Sequence, residues 1–412
     1  MQKIEITAPV GSWESLIAAI HAGADSIYFG VGALNMRARS SNNFTLRDMG
    51  KISRICQKHS ISNYITLNAV IFDKELKEMK RTIDSAKHYG VNAIIATDPA
   101  VIQYASSIDM PVHMSTQTNI TNIEALKYWS RLADVMVMAR EISLEQVATI
   151  SRAIKRHKIK GPSGKLVQIE VFAHGALCMA VSGKCYLSLD YYNSSANRGA
   201  CYQLCRRAYK VTDRDTGIEM AIDNEYIMSP KDLCTIGFLD KIVRAGVSVL
   251  KIEGRGRSPE YVKTVVSCYR EAVDSIAAGK FVPEKVNLWT ERLKTVYNRG
   301  FWDGYYLGRK MGEWAEQHGS IATETKEHIG KITNYFTKLK VAEIKIESGQ
   351  LKPGDRICIQ GPTTGVIYMT VPEILVDKKL VYQADKGELC SISVDFFLRR
   401  ADKIYKMVSK ST

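Results

Sequence analysis

Four of the nine cysteines fall within one stretch, Glu170 to Cys205, which reads EVFAHGALCMAVSGKCYLSLDYYNSSANRGACYQLC. Six residues separate Cys178 from Cys185, three separate Cys201 from Cys205, and a fifth cysteine, Cys234, follows. Thiolates suit soft metals and iron–sulfur clusters, and four normally complete a cluster. The spacing is neither that of a zinc ribbon, with its paired Cys-x-x-Cys elements, nor that of a bacterial ferredoxin run. It favours a metal site over buried packing cysteines and leaves iron–sulfur and zinc both open. Cys56, Cys268, Cys358 and Cys390 are scattered and read as small packing residues.

A second set of chemistry-bearing residues sits where predicted strands end. The apolar run Val167–Ala173 delivers the chain to His174, which suits proton transfer or substrate hydrogen bonding, or else only caps the strand turn. Asn68, Asp98, Gln117, Arg140 with Glu141, and Glu253-Gly-Arg255-Gly-Arg257 lie at corresponding positions. Arginine forks bind carboxylate or phosphate in a bidentate manner, so an anionic substrate fits. Singly each residue reads as a strand-end ion pair. Jointly, beside a thiol cluster, they define a candidate site. Asn35, Arg37 and Arg39 rim the same mouth, or else form an exposed loop touching RNA phosphate.

The elements that must position these residues repeat as strand and helix. Apolar runs at 5–9, 26–30, 64–69, 93–97, 112–116, 135–139, 167–173 and 247–254 alternate with helical patterns such as Trp13–Ala22, Leu76–His88 and Ile123–Leu132. Eight strands separated by helices predict an α/β fold, a (β/α)8 barrel whose chemistry lies at the C-terminal strand ends. A doubly wound open sheet is the alternative, and the lack of a Gly-x-Gly-x-x-Gly turn after the first strand counts against its dinucleotide-binding form. Cys178–Lys231 is too long for an ordinary connection and reads as a functional insertion. Helices over 259–279 and 286–298 close the barrel, and the aromatic-rich stretch Trp302–Trp314 is expected at the barrel base or against the next domain. Beyond His328, short alternating runs separated by Gly and Pro turns predict a small all-β barrel. The expected domains are 1–285, a helical connection 286–322, and 323–412.

Across 412 residues, 57 Lys and Arg stand against 43 Asp and Glu, a net charge of +14. That excess favours polyanionic partners such as RNA, or anionic small molecules, as well as a plainly solvated basic surface. No apolar window is long enough to span a bilayer, and the opening MQKIEITAPVG is not a secretory signal. With an odd cysteine count, this argues against an extracellular disulfide framework and for a reducing, cytoplasmic setting.

Glu170-Val-Phe-Ala-His174-Gly-Ala-Leu-Cys178 with Ser182-Gly-Lys-Cys185 closely resembles the signature of peptidase family U32, the collagenase-like proteins. Ala8-Pro9-Val-Gly11, Ser115-Thr-Gln117, Arg140-Glu141, Arg198-Gly-Ala-Cys201, Lys251-Ile-Glu253-Gly-Arg255 and Asn298-Arg-Gly-Phe301 support it, over roughly residues 1 to 310. The tail is similar to the small C-terminal barrel of longer members. The family label implies proteolysis. Other members hydroxylate wobble uridine in transfer RNA, a ribosomal RNA base, or a quinone precursor, with prephenate implicated and a four-iron cluster characteristic. The resemblance places the cluster ligands at Cys178, Cys185, Cys201 and Cys234, with Cys205 spare.

Three functions follow. The first is a 4Fe-4S enzyme making 5-hydroxyuridine in transfer RNA with prephenate as co-substrate. There, Arg140, Arg255 and Arg257 would hold carboxylates, and His174 and Glu253 would move protons or orient the base. The second is a collagenase-like peptidase. The absence of His-Glu-x-x-His and Gly-x-Ser-x-Gly motifs weighs against it. The third is a non-catalytic RNA-binding or assembly factor with structural zinc.

Overall fold

Eight short apolar strands form a closed parallel barrel. They are β1 (Glu5–Val10), β2 (Ser26–Gly30), β3 (Ser62–Leu67), β4 (Ala93–Ala96), β5 (Val112–Met114), β6 (Val135–Val137), β7 (Gln168–Gly175) and β9 (Val249–Ile252). The first seven pair in chain order, and β9 pairs with both β7 and β1 to close the ring. This computed structural model describes residues 3–39, 42–181, 184–217, 219, 228–308 and 313–410. Two further strands, β8 (Asp232–Cys234) and β10 (Phe301–Trp302), extend the sheet past the C-terminal end of β7.

The helices are α1 (Trp13–His21), α2 (Leu46–Lys58), α3 (Leu76–His88), α4 (Pro99–Ser107), α5 (Ile123–Trp129), α6 (Leu144–Arg156), α7 (Leu187–Tyr192), α8 (Leu239–Arg244), α9 (Pro259–Ala277) and α10 (Pro283–Lys294). Local sequence starts them. Ser12 caps α1 by accepting from the Ser15 amide, and reciprocal capping boxes, Thr45 with Asp48 and Ser143 with Gln146, open α2 and α6. Each presents an apolar stripe to the barrel; α2 buries Met49, Ile52 and Cys56.

Alternate residues of each strand face the helices and the barrel interior. Outward-facing Ile6, Ile27, Phe29, Ile65, Ile94 and Leu250 belong to one continuous apolar core with the helices. The interior is unusually polar. Tyr64 donates to Glu5 at 2.8 Å, and Lys251 pairs with Glu170 at 2.7 Å, with both partners almost fully buried. Lys251 also lies 4.7 Å from the centre of the Tyr28 ring.

His113 and His174 are buried. Burial pushes both imidazoles down to about 3, assisted by Lys251 and Arg257 respectively. Such a histidine stays neutral in the fold but takes a proton when unfolded below pH ~6.5. Stability therefore falls as pH drops from that value toward about 3, by up to ~1.4 kcal/mol per pH unit for each histidine. Urea unfolding at pH 6.5 and 5 is expected to show this loss, and His113→Asn to reduce its slope by one proton.

The segment after α10 corrects one expectation. It packs at the mouth end of the barrel, not the base. Phe301 contacts the His174 ring at 5.6 Å, and the Tyr306 hydroxyl donates to the Phe172 carbonyl at 2.8 Å. Residues 309–312 of this stretch lie outside the described residues. From Glu324 the chain forms an all-antiparallel region, an eight-stranded sheet curled around its own core of Ile332, Ile344, Ile359, Ile374, Ile392 and Ile404. Ala18 of α1, Cys358 and Val366 pack together where it meets the barrel, and Lys326 and Gln360 both reach Glu260 of α9.

Candidate active site

The cavity at the C-terminal ends of the barrel strands is where the long insertion after β7 folds back. Gly175 makes the turn possible. Its φ is +108°, and a Cβ there would stand 2.5 Å from the Glu253 carbonyl. The insertion then docks on neighbouring loops. Arg198 forms a two-pronged pair with Glu75 (2.9 and 2.5 Å) and stacks over Phe72, and the hydrogen bonds from its guanidinium hold the Glu75 carboxyl down at about 2. Gly199 follows at φ +80°, pressed so close to Asn35 that a Cβ would meet its carbonyl at 2.4 Å. Ser182 and Gly183, expected from the signature, lie outside the described residues.

This docking brings Cys178, Cys185, Cys201 and Cys205 to one cavity of about 130 Å³. Burial raises the Cys185 thiol, and the charges of Cys178 and Cys201 raise it further. Burial pushes Cys205 up to about 11, partly opposed by Arg206, with the other three thiols adding to the shift. Cys234 stands apart. It lies on β8 opposite His174, where burial pushes it up to about 11 and its neighbours are Tyr269 and Asp232. The cysteines that geometry groups are thus Cys178, Cys185, Cys201 and Cys205, whereas the resemblance implied Cys234 in the fourth place. As they stand, no three His, Cys, Asp or Glu side chains among the described residues are grouped tightly enough to hold a metal ion. Four thiols on one cavity are nevertheless the donor type a thiophilic metal takes, and such a metal would stabilise the thiolate form that burial disfavours at Cys185 and Cys205.

The other expected residues separate into cavity and scaffold. Glu253 lines the cavity and pairs with Arg37 at 3.1 Å. Burial alone would raise its carboxyl, but Arg37, Arg140 and Arg255 outweigh burial and hold it below the usual value. Its carboxylate is an anion held by arginines, not an acid that donates near neutrality. Burial disfavours the Arg37 charge, yet Glu253, Cys201 and Cys178 more than compensate. Arg140 lines the cavity and lies 4.1 Å over the Phe172 ring, and its buried Nε has no hydrogen-bond partner. Asn68 and Gln117 also line the cavity.

His174 does not reach it. Its ring is enclosed by Tyr261, Tyr269 and Phe301, with Nδ1 3.4 Å from the Tyr269 hydroxyl. Arg255 touches the cavity but is 4% exposed, and Thr66, Asn35 (2.7 Å) and Asn43 (3.1 Å) engage its guanidinium. Asp98 caps α4 through the Ala100 amide. Arg257 lies over the Tyr297 ring at 3.5 Å. With Arg37, Arg140, Arg206 and Arg299 it lines an outer chamber of about 250 Å³ beside Cys178, Cys201 and Cys205. Five arginines against Glu253 make that chamber a site for anions.

Tyr28, Lys251, Arg206 and Arg299 were not singled out from sequence as site residues. Lys251 carries a signal, a lysine inside the otherwise apolar strand VLKI.

A closed (β/α)8 scaffold with a polar, thiol-lined cavity at its C-terminal strand ends is the architecture of barrel enzymes. The family model of peptidase family U32 matches residues 11–316, and the chain belongs to that family. It is 56% identical to a collagenase from Porphyromonas gingivalis over 98% of this chain and 97% of that one. It is 30% identical to tRNA hydroxylation protein P1 of Bacillus subtilis over 88% of this chain and 84% of that one. A 23S rRNA 5-hydroxycytidine synthase of Escherichia coli is 33% identical over 66% of this chain and 40% of its own length. No helix among the described residues is long and apolar enough to cross a membrane.

Proposed function

We propose that this protein is an iron–sulfur enzyme that hydroxylates transfer RNA, converting wobble uridine to 5-hydroxyuridine with prephenate as co-substrate. The observation that carries this reading is the convergence of four thiols on a cavity adjoining an arginine-lined chamber. Cys178, Cys185, Cys201 and Cys205 would hold a 4Fe-4S cluster, which supplies one-electron chemistry when bound. Arg140 and Arg257 would hold the carboxylates of prephenate, with Glu253 and Tyr28 orienting the base. Arg255 would keep the mouth in shape by tying its loops together. The hydroxylation proteins among the relatives and the basic surface support an RNA substrate.

The peptidase reading is weaker in physical terms. No histidine among the described residues lines either chamber, and Glu253 is bound by arginine. A nucleophile there would lack an activating base. Incubating the anaerobic protein with unmodified transfer RNA and prephenate, then digesting to nucleosides for mass spectrometry, tests the proposal. 5-Hydroxyuridine is the expected product. Cleaved gelatin with unmodified RNA would overturn it. Arg140→Ala is expected to raise KM for prephenate about tenfold or more, the loss of one charge-assisted fork, with KM for RNA little changed.

A further inference from the structure

The insertion that carries the thiols also exposes tyrosines that neither the fold nor the proposed chemistry uses. Tyr186 and Tyr191 are 73% and 71% exposed, Tyr202 50% and Tyr192 44%. Three of them form one surface, with ring centres of Tyr191 and Tyr192 5.6 Å apart and those of Tyr192 and Tyr202 5.1 Å apart. The surface is anchored. The Tyr202 amide donates to the buried Ser188 hydroxyl at 3.0 Å, fixing the Tyr202 turn against α7, and Arg207 donates to the Tyr192 hydroxyl at 2.9 Å.

Its position relative to the cavity is set by the chain itself. Cys185-Tyr186 and Cys201-Tyr202 are adjacent pairs in which the cysteine lines the cavity and the tyrosine faces solvent. Of the three adjoining rings, Tyr202 ties the surface to the cavity, one residue from the Cys201 thiol. Leaving such rings in water forgoes burial that an aromatic side chain ordinarily finds, so the surface calls for a ligand. Of the cations between Cys178 and Lys210, Arg198 pairs with Glu75, Lys210 pairs with Glu219 and Arg206 lines the outer chamber, which leaves Lys184 and Arg207 exposed beside the rings. Flat rings with wet hydroxyls among cations fit the π-faces of unpaired bases and their phosphates better than an apolar protein surface.

We propose that Tyr191, Tyr192 and Tyr202, with Arg207, form a stacking platform for unpaired nucleobases, holding a single-stranded stretch of RNA so that one nucleotide enters the thiol-lined cavity. This rests on the RNA reading above and assigns the residues that grip the strand.

Fluorescence anisotropy of the anaerobic holoprotein with a labelled oligouridine of about twelve nucleotides, against a duplex of about the same length, tests it. The single strand is expected to bind more tightly than the duplex. The paired substitution Tyr191→Ala/Tyr202→Ala should weaken it about tenfold or more, with an unchanged melting temperature, whereas Tyr191→Phe/Tyr202→Phe keeps affinity within about twofold because the π-faces remain. Equal binding by the alanine variant, or equal loss in the phenylalanine variant, overturns the platform. So does a proline-rich collagen-like peptide that binds in place of RNA and is lost in the alanine variant. The assay requires no turnover. If wild-type protein makes no modified nucleoside yet the alanine variant loses oligouridine, the enzyme reading alone fails. If wild-type protein makes product and the alanine variant binds normally, the platform alone fails.

Discussion

Cys201→Ser is expected to leave the protein without the proposed cluster, with iron falling from about four per chain to below one. Cys178→Ser and Cys185→Ser should behave alike, since all three thiols line the same cavity, where burial and then the charges of Cys178 and Cys201 raise the Cys185 thiol. The fourth position separates two ligand sets. Geometry places Cys205 with the other three and puts Cys234 behind the mouth, beside Tyr269. Cys205→Ser is therefore expected to lose iron, and Cys234→Ser to keep it. The opposite pattern would mean that the Cys234 set implied by the family resemblance holds and that the segment rearranges as the cluster is built. Iron and sulfide analysis of the five single variants, purified anaerobically, decides between the two.

The second large effect is on stability. Lys251 and Glu170 form an ion pair inside the barrel at 5% and 1% exposure. Lys251→Ala strands a carboxylate in the interior, and breaking a buried pair from one side costs about 3–5 kcal/mol. Replacing both partners, as in Glu170→Leu/Lys251→Met, removes the stranded charge and is expected to recover most of that loss. Urea unfolding of the single and double variants reads the difference directly. A single variant that loses less than ~1 kcal/mol would mean that the pair is solvated and contributes like a surface bridge.

Much of the barrel is legible in the sequence because parallel strands buried on both faces appear as nearly continuous apolar runs. SIYFG of β2 and AIIA of β4 are fully buried. β8 and β10, only three and two residues long, are too short to carry a period, and they exist through the pairing of β8 with β7 and of β10 with β8. That Cys178, Cys185, Cys201 and Cys205 come to one cavity is legible from their spacing, whereas the place of Cys234 on β8, apart from them, is not. The orientation of His174 is not. A register shift between Phe172 and His174 in the pairing of β7 with β9 breaks the alternation there, and His174 lies among Tyr261, Tyr269 and Phe301 instead of lining the cavity. Arg255 reads as a substrate fork in sequence, yet Asn35 and Asn43, more than two hundred residues away, engage it. A sequence pattern records that an arginine follows a strand, but not which distant loop closes over it.

An iron–sulfur cluster held by these thiols would have a direct optical signature. The most direct measurement is the absorption spectrum of anaerobically purified protein, with iron, sulfide and zinc determined on the same sample. A broad visible band that bleaches on reduction, with about four iron and four sulfide per chain, is the predicted result. Colourless protein lacking iron, or one zinc per chain in its place, would contradict it.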